Sequence, residues 1–357
     1  MNPLFSGLMN EAAELTRTGQ LAKATEAIQR ALRGDANTRP AAPATGIDDA
    51  DVIDVEARVI ERDAPADTAG PHEQQGGADA WTRASFAHKG RSIDYMLFVP
   101  KRPAGEAATP RPVILMLHGC TQSAADFAAG TRMNEHARHS GAIVVYPEQT
   151  PRAHGQKCWN WFKTPHQQRG RGEPELLAAL TQHVVAQHHA DRMRVYVAGL
   201  SAGGAMADIL GHCYPDIYAA IGVHSGLPHG AAHDLASALN AMRAGPAASR
   251  SEPGVSSPPT IVFHGDADST VHASNGLAIV AGATAGAVDE GRSSAGRRYT
   301  RTIYPASPGR GDAEHWRVHG AGHAWSGGSA QGSYTLPDGI DASQQMLRFF
   351  LSQRLTR

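Results

Sequence analysis

Along the chain the spacing of apolar residues changes twice, and each change opens a new kind of segment. From Leu4 to Leu32 the spacing is helical. Leu8, Ala12 and Leu15 share one stripe, while Leu21, Ala24, Ala27, Ile28 and Ala31 share another, so residues 1–34 are predicted to form a helical hairpin turning at Thr18-Gly19. Such a hairpin is too short to fold alone. It is expected to pack on the remaining chain, to join copies of it, or to dock on a surface or partner. Residues 35–78 then lose all periodicity. They are rich in Ala, Pro, Asp and Gly and poor in aromatics, a composition that buries too little surface to offset the entropy of ordering, so a flexible linker is predicted.

From Trp81 onward the texture is that of a folded domain, expected over residues 79–357. The stretch ASFAHKGRSIDYMLFVP alternates around His88-Lys89-Gly90, as an antiparallel hairpin does. Compact apolar runs follow: VILML (113–117), IVVY (143–146), VYVAG (195–199), AAIGVHSG (219–226), TIVFHG (260–265) and HWRVHG (315–320). Helix-length segments separate them. The clearest is EPELLAALTQHVVAQHH, with Pro174 in its first turn and Leu176, Leu177, Leu180 and Val184 facing inward. Short buried runs alternating with helices predict a mostly parallel sheet covered on both faces. The stretch GATAGAVDEGRSSAGRR is expected to be a surface insertion.

Composition narrows the function classes. The 357 residues are 41% hydrophobic and 19% charged with a formal net charge of −1, ordinary for a globular protein. Acidic residues concentrate in Asp35–Asp79, which holds 11 against 3 basic ones, leaving the rest mildly basic and without a Lys/Arg stripe. Nucleic-acid binding is therefore not expected. No apolar run approaches the ~20 residues of a membrane span. The first residues lack the basic and apolar regions of a secretory signal, so the expected compartment is the cytoplasm. The three cysteines, Cys120, Cys158 and Cys213, are expected to be free buried thiols, with pairing of Cys158 to Cys120 or Cys213 the alternative under oxidising conditions. No metal-ligand spacing and no phosphate- or dinucleotide-binding glycine pattern appears, so neither metal nor cofactor is expected.

In a parallel sheet the chemistry sits in loops after the strand ends. Here those loops read HGCTQS, GLSAGG, HGDADSTV and HGAGHAWSGG. Glycines around Ser201 fit a nucleophile elbow, in which a sharp strand-to-helix turn lifts the serine above the sheet. A serine hydroxyl needs an imidazole to accept its proton, and the imidazole needs a carboxylate to fix its tautomer. Ser201 as nucleophile, Asp268 as orienting acid and His323 as general base appear in the order Ser–Asp–His. Asp266 is nearer the strand end and is expected to cap its turn through local bonds. The amides of Ala202 and Cys120, with Thr121 next, are the candidate oxyanion donors. His118 and His264 precede glycines at strand ends and are expected to bond neighbouring loops. Trp159 and Trp161 around Asn160, together with Trp325, read either as local packing or as a substrate-binding platform.

These stretches, together with FAAGTRMNEHA, VVYPEQ, CWNWF and YPDIYAAIGVHSGLP, resemble the polyhydroxybutyrate depolymerase family of esterases over roughly Trp81–Phe350. The resemblance implies an α/β-hydrolase fold and a serine esterase hydrolysing 3-hydroxyalkanoate esters, oligomeric or polymeric, with a polyester granule surface as a possible partner. It implies a triad of Ser201, Asp268 and His323, with Cys120 in the oxyanion loop. The same family includes feruloyl and acetylxylan esterases. A non-enzymatic alternative is a granule- or partner-binding protein acting through the N-terminal helices.

Overall fold

The computed structural model describes residues 78–102, 109–246 and 257–355. The predicted helical hairpin (1–34) and nearly all of the predicted linker (35–78) lie outside them.

The chain enters through a hairpin of β1 (Ala80–His88) and β2 (Arg91–Val99). His88 faces Arg91 across a two-residue turn, and Lys89 and Gly90 both take the positive φ that such a turn requires, 49° and 74°. The six apolar runs become β3 (Val113–Leu117), β4 (Ile143–Glu148), β5 (Val195–Leu200), β6 (Ala220–His224), β7 (Thr260–Gly265) and β10 (Ala313–Val318). They lie side by side, parallel, in the order β4-β3-β5-β6-β7-β10. β1 and β2 extend one edge antiparallel. The other edge is extended by β9 (Arg298–Tyr304) and β8 (Val288–Arg292), completing ten strands. The expected surface insertion is thus partly strand. VDEGR carries no apolar alternation because β8 is an edge held by main-chain pairing to β9, with little to bury.

Helices cover both faces: α1 (Ala124–Thr131), α2 (Met133–Ser140), α3 (Gly172–Gln187), α4 (Ala202–Cys213), α5 (Leu235–Ala244), α6 (Ser274–Ile279) and α7 (Ala342–Ser352). Alternation along the strands sorts the core into two layers. Val113, Leu115 and Leu117 join the layer containing Leu177, Leu180 and Val184 of α3, while Ile114 and Met116 join Phe127 of α1 and Met346 and Phe350 of α7. Double coverage is why VILML is apolar at every position. Among the described residues, no helix is long and apolar enough to cross a membrane.

The architecture is that of an α/β-hydrolase. Its consequence for function is positional: the loops after β3, β5, β7 and β10 all leave the same end of the sheet.

Candidate active site

The elbow after β5 is built by close packing. Ser201 adopts φ 57° and ψ −119°, a conformation costly for a residue with a side chain. Gly203 makes the turn possible, since a Cβ there would drive into the Leu117 carbonyl. A Cβ on Gly199 would likewise collide with Gly203. Ser201 begins α4 yet makes no side-chain capping bond to it, and Ala202, the first helical residue, presents an N–H that the helix cannot satisfy.

Asp268 and His323 are joined directly. His323 Nδ1 lies 2.7 Å from Asp268 Oδ2, with the carboxylate fully buried and the imidazole 11% exposed. The remaining Asp268 oxygen accepts the Thr270 and Val271 N–H groups, each at 2.9 Å. Burial pushes the Asp268 pKa up, but hydrogen bonds from His264 and His323, the His323 charge and the Val271 amide outweigh it and hold the group far below the ordinary carboxylate range. An ionised Asp268 fixes the His323 proton on Nδ1 and leaves Nε2 as the basic nitrogen. Asp266 behaves differently from the expectation of a local cap. It reaches across to the loop after β10, meeting His319 Nδ1 at 2.8 Å and the Gly320 N–H at 2.6 Å. The local turn bonds belong to Asp268 instead.

Serine and histidine loops share a support that sequence reasoning missed, His224 at the end of β6. Its carbonyl accepts the Ser201 N–H at 2.9 Å, and its Nε2 accepts the Ser326 N–H at 2.9 Å. The ring stacks between Phe263 and Trp325. Burial, with help from His264 and His323, pushes its pKa down to about 3, so it is neutral and Nε2 remains an acceptor. Its strand lies between β5, which ends beside Ser201, and β7, which leads into the Asp268 loop. Among the described residues the Ser201 hydroxyl and His323 share no hydrogen bond.

The strap after β3 supplies a second amide by elimination. The Gly119 N–H donates to Gln122 Oε1 (2.8 Å), Thr121 to the Gln156 carbonyl (2.7 Å) and Gln122 to the Gly119 carbonyl (3.4 Å). The Cys120 amide is the one without an acceptor among the described residues. Gln122 also donates to Asp126 (2.9 Å), tying the strap to α1. HGCTQS contained that glutamine, but nothing in its spacing announced the role.

Two expectations require correction. Cys120 and Cys158 form a disulfide with Cα atoms 4.2 Å apart, leaving Cys213 as the free thiol. Neighbouring strands β3 and β4 deliver the two loops side by side, a proximity invisible across 38 residues of sequence. Of the two readings of the tryptophans, their burial favours local packing over a substrate platform. Trp159, Trp161 and Trp325 are 0%, 6% and 1% exposed. Trp159 donates to the His118 carbonyl at 3.0 Å and so props the strap, and Trp325 donates to Ser343 at 3.1 Å while packing on Phe127 and His224. Burying these large rings stabilises the loops more than displaying them would. Asn160 serves the same end, sharing the buried Glu173 carboxylate with Gln149. His118 and His264, both fully buried, tie strand ends to adjoining loops through Gln149 and Val271.

The sequence model of the family described as "Esterase PHB depolymerase" matches residues 93–285. Poly(3-hydroxyalkanoate) depolymerase C of Paucimonas lemoignei is 35% identical over 184 residues, 48% of this chain and 44% of that one. Feruloyl esterase B of Thermothelomyces thermophilus is 32% identical over 154 residues, 43% of this chain and 50% of that one. The chain spans about half the length of these curated relatives. In three dimensions it resembles an acetyl xylan esterase from Aspergillus awamori, with a TM-score of 0.56 at 19% identity over 72% of this chain and 93% of that one, a likeness of fold.

Proposed function

Since the chain belongs to the Esterase PHB depolymerase family, we propose that it is a serine hydrolase of carboxylic esters, acting on poly- or oligo-3-hydroxyalkanoates. The carrying observation is the 2.7 Å Asp268–His323 bond at the sheet end where the Ser201 elbow stands. His323 Nε2 takes the Ser201 proton as the hydroxyl oxygen attacks the ester carbonyl. The carbonyl oxygen gains negative charge and is held by the Ala202 and Cys120 amides, each worth a few kcal/mol in the transition state. Collapse of the intermediate breaks the ester C–O bond, and the alcohol leaves with the proton from His323. Water, deprotonated by His323, then attacks the acyl-enzyme and frees the acid and Ser201.

The polyester reading draws on the Paucimonas lemoignei relative, named for a poly(3-hydroxyalkanoate). The feruloyl esterase relative makes a plant-polysaccharide ester the second reading. Rates on hydroxybutyrate oligomers, methyl ferulate and acetylated xylan separate the two. Attachment to a polyester granule belongs to the first reading and is measured by co-sedimentation with granules. Replacing Ser201 by alanine is expected to lower p-nitrophenyl butyrate hydrolysis by ~10⁴-fold or more. A loss of only a few-fold would remove Ser201 from the mechanism.

A further inference from the structure

With the tryptophans buried, apolar contact for a substrate at the strand ends has to come from another side chain. Tyr334 is 47% exposed, one of the few large apolar residues left so open among the described residues. Its backbone φ is 52°, in the left-handed region that a bulky residue occupies only at a cost. The phenol oxygen lies 3.3 Å from Thr121 Oγ1, on the residue that follows Cys120, and Thr121 itself has φ 66°. The Tyr334 carbonyl accepts the N–H of Trp325, two residues beyond His323, at 2.7 Å. Tyr334 therefore touches both the oxyanion strap and the histidine loop.

The segment bearing it is held firmly. Ser333 donates to Asp126 through its N–H (2.9 Å) and its hydroxyl (2.6 Å), and Gln122 donates to the Ser333 carbonyl at 3.1 Å. Gln122 is also the residue that engages Gly119 of the strap. One network thus sets the strap and Tyr334 together. A strained backbone needs something to offset it. Here the hydrogen bonds of Ser333 and Gln122 supply it, and they leave the ring about half exposed.

We propose that Tyr334 is a specificity-determining residue whose ring forms the apolar wall for the aliphatic acyl chain of the bound ester. Its hydroxyl, anchored at Thr121, keeps that wall beside the candidate oxyanion amide. The inference rests on the hydrolase reading above and adds the substrate contact that the tryptophans do not provide.

The test compares Y334F, Y334A and Y334G on p-nitrophenyl acetate, butyrate and hexanoate, with melting temperatures. Y334F keeps the ring but releases it from Thr121, so KM for butyrate and hexanoate should rise by about two- to threefold, far less than on loss of the ring. Y334A and Y334G should raise KM for butyrate and hexanoate by about tenfold, with acetate nearly unaffected and kcat little changed. Y334G should melt no lower than Y334A, because glycine takes a positive φ without strain. An unchanged chain-length profile in Y334G would overturn the proposal. So would a lowered melting temperature in Y334G with KM for all three esters altered alike, the signature of a structural residue. Absence of ester hydrolysis by the native protein, or its survival in Ser201→Ala, would instead defeat the hydrolase reading beneath.

Discussion

Replacing Asp268 by asparagine tests the electrostatic core of the proposed site, because the structure states what each oxygen does. Oδ1 accepts the Thr270 and Val271 N–H groups, and an amide oxygen can do the same. Oδ2 faces His323 Nδ1 at 2.7 Å and His264 Nε2 at 3.5 Å. With the amide nitrogen there, His323 is driven to the tautomer that carries its proton on Nε2, where it cannot accept the Ser201 proton. The same swap in a serine protease triad costs about 10⁴-fold in kcat, and a loss of that order is expected here. His264 donates from Nε2 to the Val271 carbonyl at 2.8 Å, so the new NH₂ also meets a donor. An unmatched buried donor destabilises by about 1–3 kcal/mol. Asp266→Asn leaves the Asp268–His323 bond intact and disturbs only the His319–Gly320 support, so it should cost about tenfold or less. The assay is kcat/KM for p-nitrophenyl butyrate, paired with urea unfolding. Should Asp266→Asn prove the slower enzyme, the assignment of orienting acid is wrong.

Acid lability follows from the buried histidines. Burial holds His224 at about 3 and His315 at about 4, against 6.5 unfolded. A histidine with a depressed folded pKa contributes full stability above pH 6.5 and loses it as pH falls toward the folded value. Between pH 7 and 4.5 the two together should cost about 5 kcal/mol of unfolding free energy. Urea titrations giving equal stability at those two pH values would refute the buried neutral assignment. Opening the Cys120–Cys158 bridge, by Cys→Ser substitution at both positions, should lower stability by up to about 4 kcal/mol for a loop of this length. It should also lower kcat more than it raises KM, since the strap carries the proposed oxyanion donor. Native kcat in the double variant would separate the bridge from catalysis.

The strands, the elbow and the Ser–Asp–His order were legible in the chain because each leaves a local trace. A strand buried on both faces must be apolar at every position, and an elbow pressed against neighbouring backbone must be glycine-rich, so VILML and GLSAGG announce themselves. The choice of Asp268 over Asp266 rests on how far a loop must reach; the structure sets Asp268 against His323 and Asp266 against His319. The disulfide, the burial of the tryptophans, His224 beneath both loops and Tyr334 at their mouth had no such trace. Each depends on which loops become neighbours when strands about 20 to 80 residues apart are laid side by side. A side chain's identity limits what it can do. Whether a tryptophan props a strap or greets a substrate is decided by what the strand order packs around it.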